Sequence, residues 1–431
     1  MNFLKKQSPV RIISLGFALV ILIGSVLLSL PCSIRDGVTL RYIDALYMST
    51  SAVCVTGLLT VDAGDTFTPL GQFFLGMLIQ VGGLGVTAVG TGVILAMGKK
   101  INLKARNLIR EAGNLDSGKG VIRFIRLVFL TTVTFELAGA ALSFLVFRKN
   151  FSPLKAAGVS LFHSVASFNN SGFDILGGGQ NLIPYQDDVL LNVVTCALVI
   201  FGGIGFLVIR EVIAKRFRWK KLSMHAKVVL FMSLVLTAAG TVLLKLTEDI
   251  TWMGAFFTSV SARTAGFSTF PLGSFSGAGL LTVIVLMVIG ASPGSTGGGI
   301  KTTTCYVLFE GIRSSATNTS EKAFRYAVPA DAFRKAAVIT LLAIGIVLSG
   351  TYILVILEPG VPFLDALFEM SSAFGTAGLS TGISAGLCDA AKILTILIMF
   401  IGRLGPLTIA SLWYFTKGER VSYPEGNIAI G

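Results

Sequence analysis

Residues 45–58 read ALYMSTSAVCVTGL, and three further stretches lie over them without a gap: SLFHSVASFNNSGF at 160–173, GAFFTSVSARTAGF at 254–267 and ALFEMSSAFGTAGL at 366–379. Each has an aromatic residue in third place (Tyr47, Phe162, Phe256, Phe368) and Gly next to last (Gly57, Gly172, Gly266, Gly378). The spacings between these glycines are 115, 94 and 112 residues. A second mark follows each block: VGGLG at 81–85, FGGIG at 201–205, IGASPGSTGGG at 289–299 and IGRLG at 401–405. Its first Gly stands 25, 30, 24 and 24 residues after the block Gly. Two marks recurring together indicate an internal repeat. The repeat divides the chain into units at 1–100, 101–220, 221–320 and 321–431.

The flanking sequence is apolar. Hydrophobic residues make up 53% of the 431, charged residues only 13%, and mean hydropathy is +0.80. A soluble domain carries about twice that share of charge. The net charge of +13 therefore does not point to nucleic acid, and the composition predicts an all-α polytopic membrane protein. Eight stretches are long enough to span a bilayer, near 12–30, 70–97, 121–147, 189–213, 226–244, 278–312, 335–357 and 391–415. With the N-terminus in the cytoplasm, segments 1–11, 99–126, 210–227, 301–335 and the tail from 416 hold three, eight, seven, six and two Lys/Arg, 26 of the 35. That bias predicts both termini on the cytoplasmic side. Acidic residues such as Asp62, Asp65, Asp187 and Asp188 fall on outer segments. They are ordinary solvated loops or a cation-attracting vestibule. Five scattered cysteines and two histidines offer neither a disulfide framework nor a metal cluster.

Each unit thus reads as span, short helix, Gly-containing loop, span. A helix of about ten residues cannot cross a bilayer, so it must re-enter. Non-helical backbone at membrane depth survives only when buried in protein or lining a water-filled cavity. Four such loops about a pseudo-fourfold axis would bring four sets of carbonyl oxygens to one line, able to replace the hydration shell of a cation.

At these residues the chain resembles the Trk/Ktr/HKT superfamily of cation transporters. Within it, the membrane subunits of bacterial Ktr potassium-uptake systems are most alike. The resemblance runs from the first span to the last. It implies that Gly57, Gly172, Gly266 and Gly378 are filter glycines, a set that goes with K+ rather than Na+. The remaining filter backbone would be Val53, Cys54, Val55 and Thr56; Phe168, Asn169, Asn170 and Ser171; Ala262, Arg263, Thr264 and Ala265; and Phe374, Gly375, Thr376 and Ala377.

The sixth span is interrupted by Gly290, Ala291, Ser292, Pro293, Gly294, Ser295, Thr296, Gly297, Gly298 and Gly299, which cannot continue a regular helix. This stretch resembles the family's intramembrane gating loop, which obstructs the pore below the filter. A phosphate-binding reading of the same residues fails, because Ile300 separates Gly299 from Lys301 and no soluble strand precedes them. Arg403 lies mid-span, where a charge normally faces the interior. It is expected either in a structural ion pair or beneath the filter, repelling cations and holding the loop, with Lys301 at its border. Glu136 is expected in a structural pairing. Arg263 is expected to turn from the axis toward an acidic group, and His163 to be a satisfied structural histidine. The backbone of Cys54, rather than its thiol, is expected to matter.

The resemblance further implies a homodimer in the cell inner (plasma) membrane, with one pore per subunit. It also implies a cytosolic ring of RCK-type nucleotide-binding regulatory subunits. The chain carries no cofactor of its own in this reading; K+ is the transported ion, with Na+ as a coupling or activating ion. A Na+-selective or Na+/K+ symporting member shares the architecture and remains open. Alternating access through inverted repeats is disfavoured, because these repeats are four and parallel. A membrane enzyme is disfavoured by the lack of converging catalytic groups.

Overall fold

The computed structural model describes residues 9–96, 120–329 and 331–411. Parts of the basic segment 99–126 and the tail from 416 lie outside the described residues.

Four segments of the chain pass through the same order of elements. The first contains α1 (Pro9–Leu28), the short α2 (Tyr42–Cys54), α3 (Pro69–Leu84) and α4 (Val86–Ala96). The second contains α5 (Val121–Phe147), α6 (Pro153–Phe168), α7 (Val189–Ile204) and α8 (Phe206–Ala214). The third contains α9 (Met224–Thr247), α10 (Trp252–Ala262), α11 (Gly277–Val288) and α12 (Thr302–Thr317). The fourth contains α13 (Ala332–Leu357), α14 (Phe363–Gly375), α15 (Asp389–Leu404) and α16 (Pro406–Ser411). Two two-residue strands, Lys322–Ala323 and Tyr326–Ala327, form a hairpin between the last two segments.

Helix starts follow capping chemistry. Thr68, Asp188 and Ser276 each accept from the backbone N–H three residues on, at the starts of α3, α7 and α11. The helices α1, α5, α9 and α13 are long and apolar enough to cross a membrane. Their outer faces show Leu19, Leu130, Leu234 and Leu341 at 59–70% exposure. The interior, by contrast, holds a dense set of buried hydroxyls and amides, including Ser49, Ser51, Ser164, Asn169, Asn170, Ser259, Ser371 and Thr376. Apolar outside and polar inside suits lipid as the outer solvent.

The short helices α2, α6, α10 and α14 are the buried centre, each packed on the long helix before it. Close approach is possible because small residues face them. A Cβ on Gly24, Gly139 or Gly240 would strike the hydroxyl of Ser49, Ser164 or Ser259. Aromatic side chains fill the space between, with Tyr47, Phe168, Phe257, Phe267, Phe368 and Phe374 fully buried.

One expectation needs correction. The apolar runs 70–97 and 189–213 are not single rods. They bend by 101° at Gly85 and 97° at Gly205, both at positive φ. The run 391–415 breaks likewise at Gly405. The last Gly of the marks in the first, second and fourth segments is thus where the helix breaks.

Candidate functional site

The four blocks converge. One or two residues past the end of each short helix comes a residue with left-handed backbone, and these are the eleventh residues of the four blocks: Val55, Asn170, Thr264 and Thr376, with φ of 56°, 59°, 80° and 49°. Two residues on, Gly57, Gly172, Gly266 and Gly378 again have positive φ, at 96°, 68°, 79° and 81°. Such alternation of handedness turns successive peptide planes over and is costly for β-branched Val and Thr. Helix-end bonds offset part of that cost: the N–H groups of Thr56, Ser171 and Ala377 reach back five residues to the carbonyls of Ser51, Ala166 and Ser372.

The glycines form a closed ring. A Cβ on Gly172 would sit 2.7 Å from the Gly266 Cα and 2.8 Å from the Ala265 carbonyl oxygen. A Cβ on Gly266 would meet the Gly378 Cα at 3.1 Å and the Ala377 oxygen at 2.8 Å. A Cβ on Gly378 would lie 2.9 Å from the Gly57 Cα and against the Thr56 oxygen. On Gly57 it would lie 3.2 Å from the Gly172 Cα and against the Ser171 oxygen. The order runs 57, 172, 266, 378 and back to 57, with one carbonyl at each junction. Only glycine fits.

The second marks pack behind the blocks. Cβ atoms on Gly82, Gly202 and Gly402 would strike the carbonyl oxygens of Val53, Phe168 and Phe374, the ninth residue of each block. The third segment departs here. A Cβ on Gly290 would instead meet the carbonyl of Gly298, within its own loop.

That loop, 289–301, lies against the helix ends of three blocks. Gly298 N–H donates to Thr376 Oγ1 at 2.9 Å, a Cβ on Gly297 would strike Thr264 Oγ1, and Thr296 Oγ1 lies 3.4 Å from both the Phe168 carbonyl and Asn170 Oδ1. It is fastened to the second segment by Ser292 N–H to the Gly203 carbonyl at 3.0 Å and by Phe206 N–H to the Gly294 carbonyl at 3.2 Å. Two cations hold its carbonyls. Lys301 Nζ donates to Gly297 at 2.8 Å and Gly298 at 3.3 Å. Arg403 donates to the carbonyls of Thr296 in the loop and Gly82 in α3, tying loop to first segment. Beside them opens a cavity of about 320 Å³, lined among others by Gly83, Pro293, Gly294, Lys301 and Arg403.

Other expected residues fall as follows. Arg263 turns away as foreseen, but its Nη2 donates to Thr237 Oγ1 at 2.9 Å, and among the described residues no carboxylate forms an ion pair with it. Thr237 takes the role because it stands on α9 directly behind the block. Glu136 on α5 occupies the corresponding place behind Asn169 and accepts from its Nδ2 at 3.0 Å. Its partners are amides: Gln80 Nε2 also donates to it, at 3.3 Å. His163 is only partly satisfied: Nε2 bonds Thr195 Oγ1 at 2.9 Å between Phe147 and Phe267, while the buried Nδ1 finds no partner among the described residues. The Cys54 thiol is buried. Sequence reading passes over two groups. Glu369 in α14 is fully buried and bonded by Ser380 and Ser384. Asp44 in α2 makes a buried ion pair with Lys392 of α15 at 2.6 Å. A lone acid inside an apolar block was the available signal for each.

The profile of the TrkH family, described as a cation transport protein, matches residues 10–416. The chain belongs to this family of membrane cation transport proteins. It is 36% identical to the Ktr system potassium uptake protein B of Bacillus subtilis strain 168, over 98% of this chain and 97% of that one. It is 35% identical to the potassium/sodium uptake protein NtpJ of Enterococcus hirae, over 99% and 98% of the two chains. The crystal structure of the potassium transporter TrkH from Vibrio parahaemolyticus superposes with a TM-score of 0.75 at 19% identity, covering 95% of this chain and 86% of that one. That likeness supports a TrkH-like fold.

Proposed function

We propose that this chain is the K+-translocating membrane subunit of a Ktr-type uptake system. The observation that carries the reading is the closed ring of Gly57, Gly172, Gly266 and Gly378 with a carbonyl oxygen at each junction. In this reading the four segments are repeats bounded at 1–100, 101–220, 221–320 and 321–431. They supply eight spans about a pseudo-fourfold axis, and the backbone from the ninth to the thirteenth residue of each block is the filter. Carbonyl oxygens there take the place of the ion's water.

The loop 290–299 obstructs the path on the far side of the block ends, and Lys301 and Arg403 latch it through its carbonyls. Their fixed positive charge opposes a cation in transit. Opening requires those bonds to part and the loop to leave the ring. In this reading both termini lie in the cytoplasm of an inner-membrane protein, which the Lys/Arg bias of the segments supports. In this reading the chain works as a homodimer under a cytosolic nucleotide-binding ring; the likeness to a protein of a Ktr system supports a partner subunit.

The test is cation flux into liposomes holding the purified full chain, with K+, Rb+ and Na+ compared side by side. Preferred K+ and Rb+ flux is expected. Preferred Na+ flux would overturn the substrate and favour the second reading, a Na+/K+ carrier, which the likeness to NtpJ supports. If the intact chain is silent, a chain shortened within 292–298 must conduct; silence in both rejects the pore.

A further inference from the structure

Two carboxylates inside the protein have no cation beside them. Glu136 is 7% exposed and Glu369 fully buried, and among the described residues neither takes part in an ion pair. Both are surrounded by donors instead. Asn169 Nδ2 shares its two N–H groups among Gln80 Oε1 at 2.7 Å, the Val165 carbonyl at 2.9 Å and Glu136 Oε1 at 3.0 Å, and Gln80 Nε2 reaches Glu136 Oε2 at 3.3 Å. Ser380 Oγ donates to Glu369 Oε2 at 2.8 Å and Ser384 Oγ to Oε1. All four carboxyl oxygens accept, an arrangement that favours the anion. A buried anion without a countercharge is costly.

Their placement supplies a countercharge. Glu369 is the fourth residue of the block that carries Gly378. Glu136 is one hydrogen bond from Asn169, three residues before Gly172. Gly172 and Gly378 are diagonal in the ring. The buried cations near the blocks are engaged elsewhere: Arg263 is bonded to Thr237, and Lys301 and Arg403 to loop carbonyls.

We propose that Glu136 and Glu369 are the fixed negative charges, on opposite corners of the glycine ring, that raise its occupancy by a monovalent cation; neither touches the ion. Glu136 is in addition a positioning residue for Asn169. The inference rests on the filter reading above.

The test is the concentration dependence of Rb+ flux in liposomes for E136Q, E369Q, E136D and E369D in the full chain, with G57S prepared alongside. Each Gln variant is expected to raise the half-saturating Rb+ concentration about threefold or more, with maximal flux within about twofold, because the lost charge acts on local ion concentration. The Asp variants keep the charge and alter the shape, so they should stay nearer wild type than the Gln variants. Gln variants at the wild-type half-saturation, or Asp variants further from it than Gln, would overturn the proposal in favour of a purely structural role. Should a Gln variant not be recovered folded, its Asp counterpart decides: within twofold of wild type supports the charge role, beyond threefold rejects it. If G57S leaves K+/Na+ preference unchanged, the filter reading falls and this inference with it. If G57S changes preference and the Gln variants do not change half-saturation, this inference alone fails.

Discussion

Gly172 illustrates how narrowly the ring is specified, since any Cβ there meets the Cα of Gly266 at 2.7 Å. The Gly172→Ala variant is therefore expected to lose roughly 1–3 kcal/mol through overpacking. Rb+ flux should fall more than the thermal midpoint alone would account for. Gly57→Ser, which crowds the Ser171 carbonyl, is expected to lower K+/Na+ discrimination in paired flux measurements; an unchanged ratio would remove Gly57 from the filter. These glycines are legible in sequence because only one side chain fits and the same letter recurs four times. The residues two places earlier are not. Val55, Asn170, Thr264 and Thr376 share a left-handed backbone, but only Asn favours it by type, so Val and the two Thr do not announce the turn. Glu136 shows the same limit from another side. Its charge is conspicuous in an apolar span, yet its partners Gln80 and Asn169 are 56 and 33 residues away, and only packing brings them together.

Among elements, the loop 289–301 and the helices α2 and α15 allow the clearest tests. Arg403 bridges the loop to α3, through the carbonyls of Thr296 and Gly82. Arg403→Ala is expected to increase basal Rb+ flux several-fold, since each charge-assisted bond contributes about 1.5–3 kcal/mol. A less stable protein with unchanged specific flux would make Arg403 a strut rather than a latch. The ion pair of Asp44 with Lys392 joins α2 to α15 in a site where both side chains are less than 10% exposed. Lys392→Met should lower stability by about 3 kcal/mol, because it leaves a buried carboxylate undercompensated. Asp44→Asn in that background should recover most of the loss, read as the thermal midpoint in detergent. The interruption of the sixth span is legible because five glycines and a proline within ten residues defeat a helix. The bends at Gly85, Gly205 and Gly405 are not, because a glycine or two in an apolar run equally suits close helix packing.

At the scale of the molecule, hydropathy and charge bias foretell a membrane protein, and the family match agrees. They count apolar runs rather than rods. Where the sequence has eight runs, the described residues hold four helices long enough to cross, two bent pairs and shorter pieces. The same arithmetic cannot distinguish a run that spans from one that turns back, since both bury the same side chains. Flux with K+, Rb+ and Na+ side by side remains the measurement that reads the whole assembly at once, and preference for K+ and Rb+ is its expected result.

The ring has a seam. Its last junction, Gly378 against Gly57, joins residues from opposite ends of the chain, and the Asp44–Lys392 pair that reinforces it is separated by 348 positions. During synthesis the first three blocks are made and inserted long before the fourth. An unfinished chain consequently holds an arc and never a closed annulus. If the ring is the filter proposed above, coordination from all four sides arises only as the final segment docks, and incomplete products of a ribosome that stalls or terminates early would leave no competent hole in the bilayer.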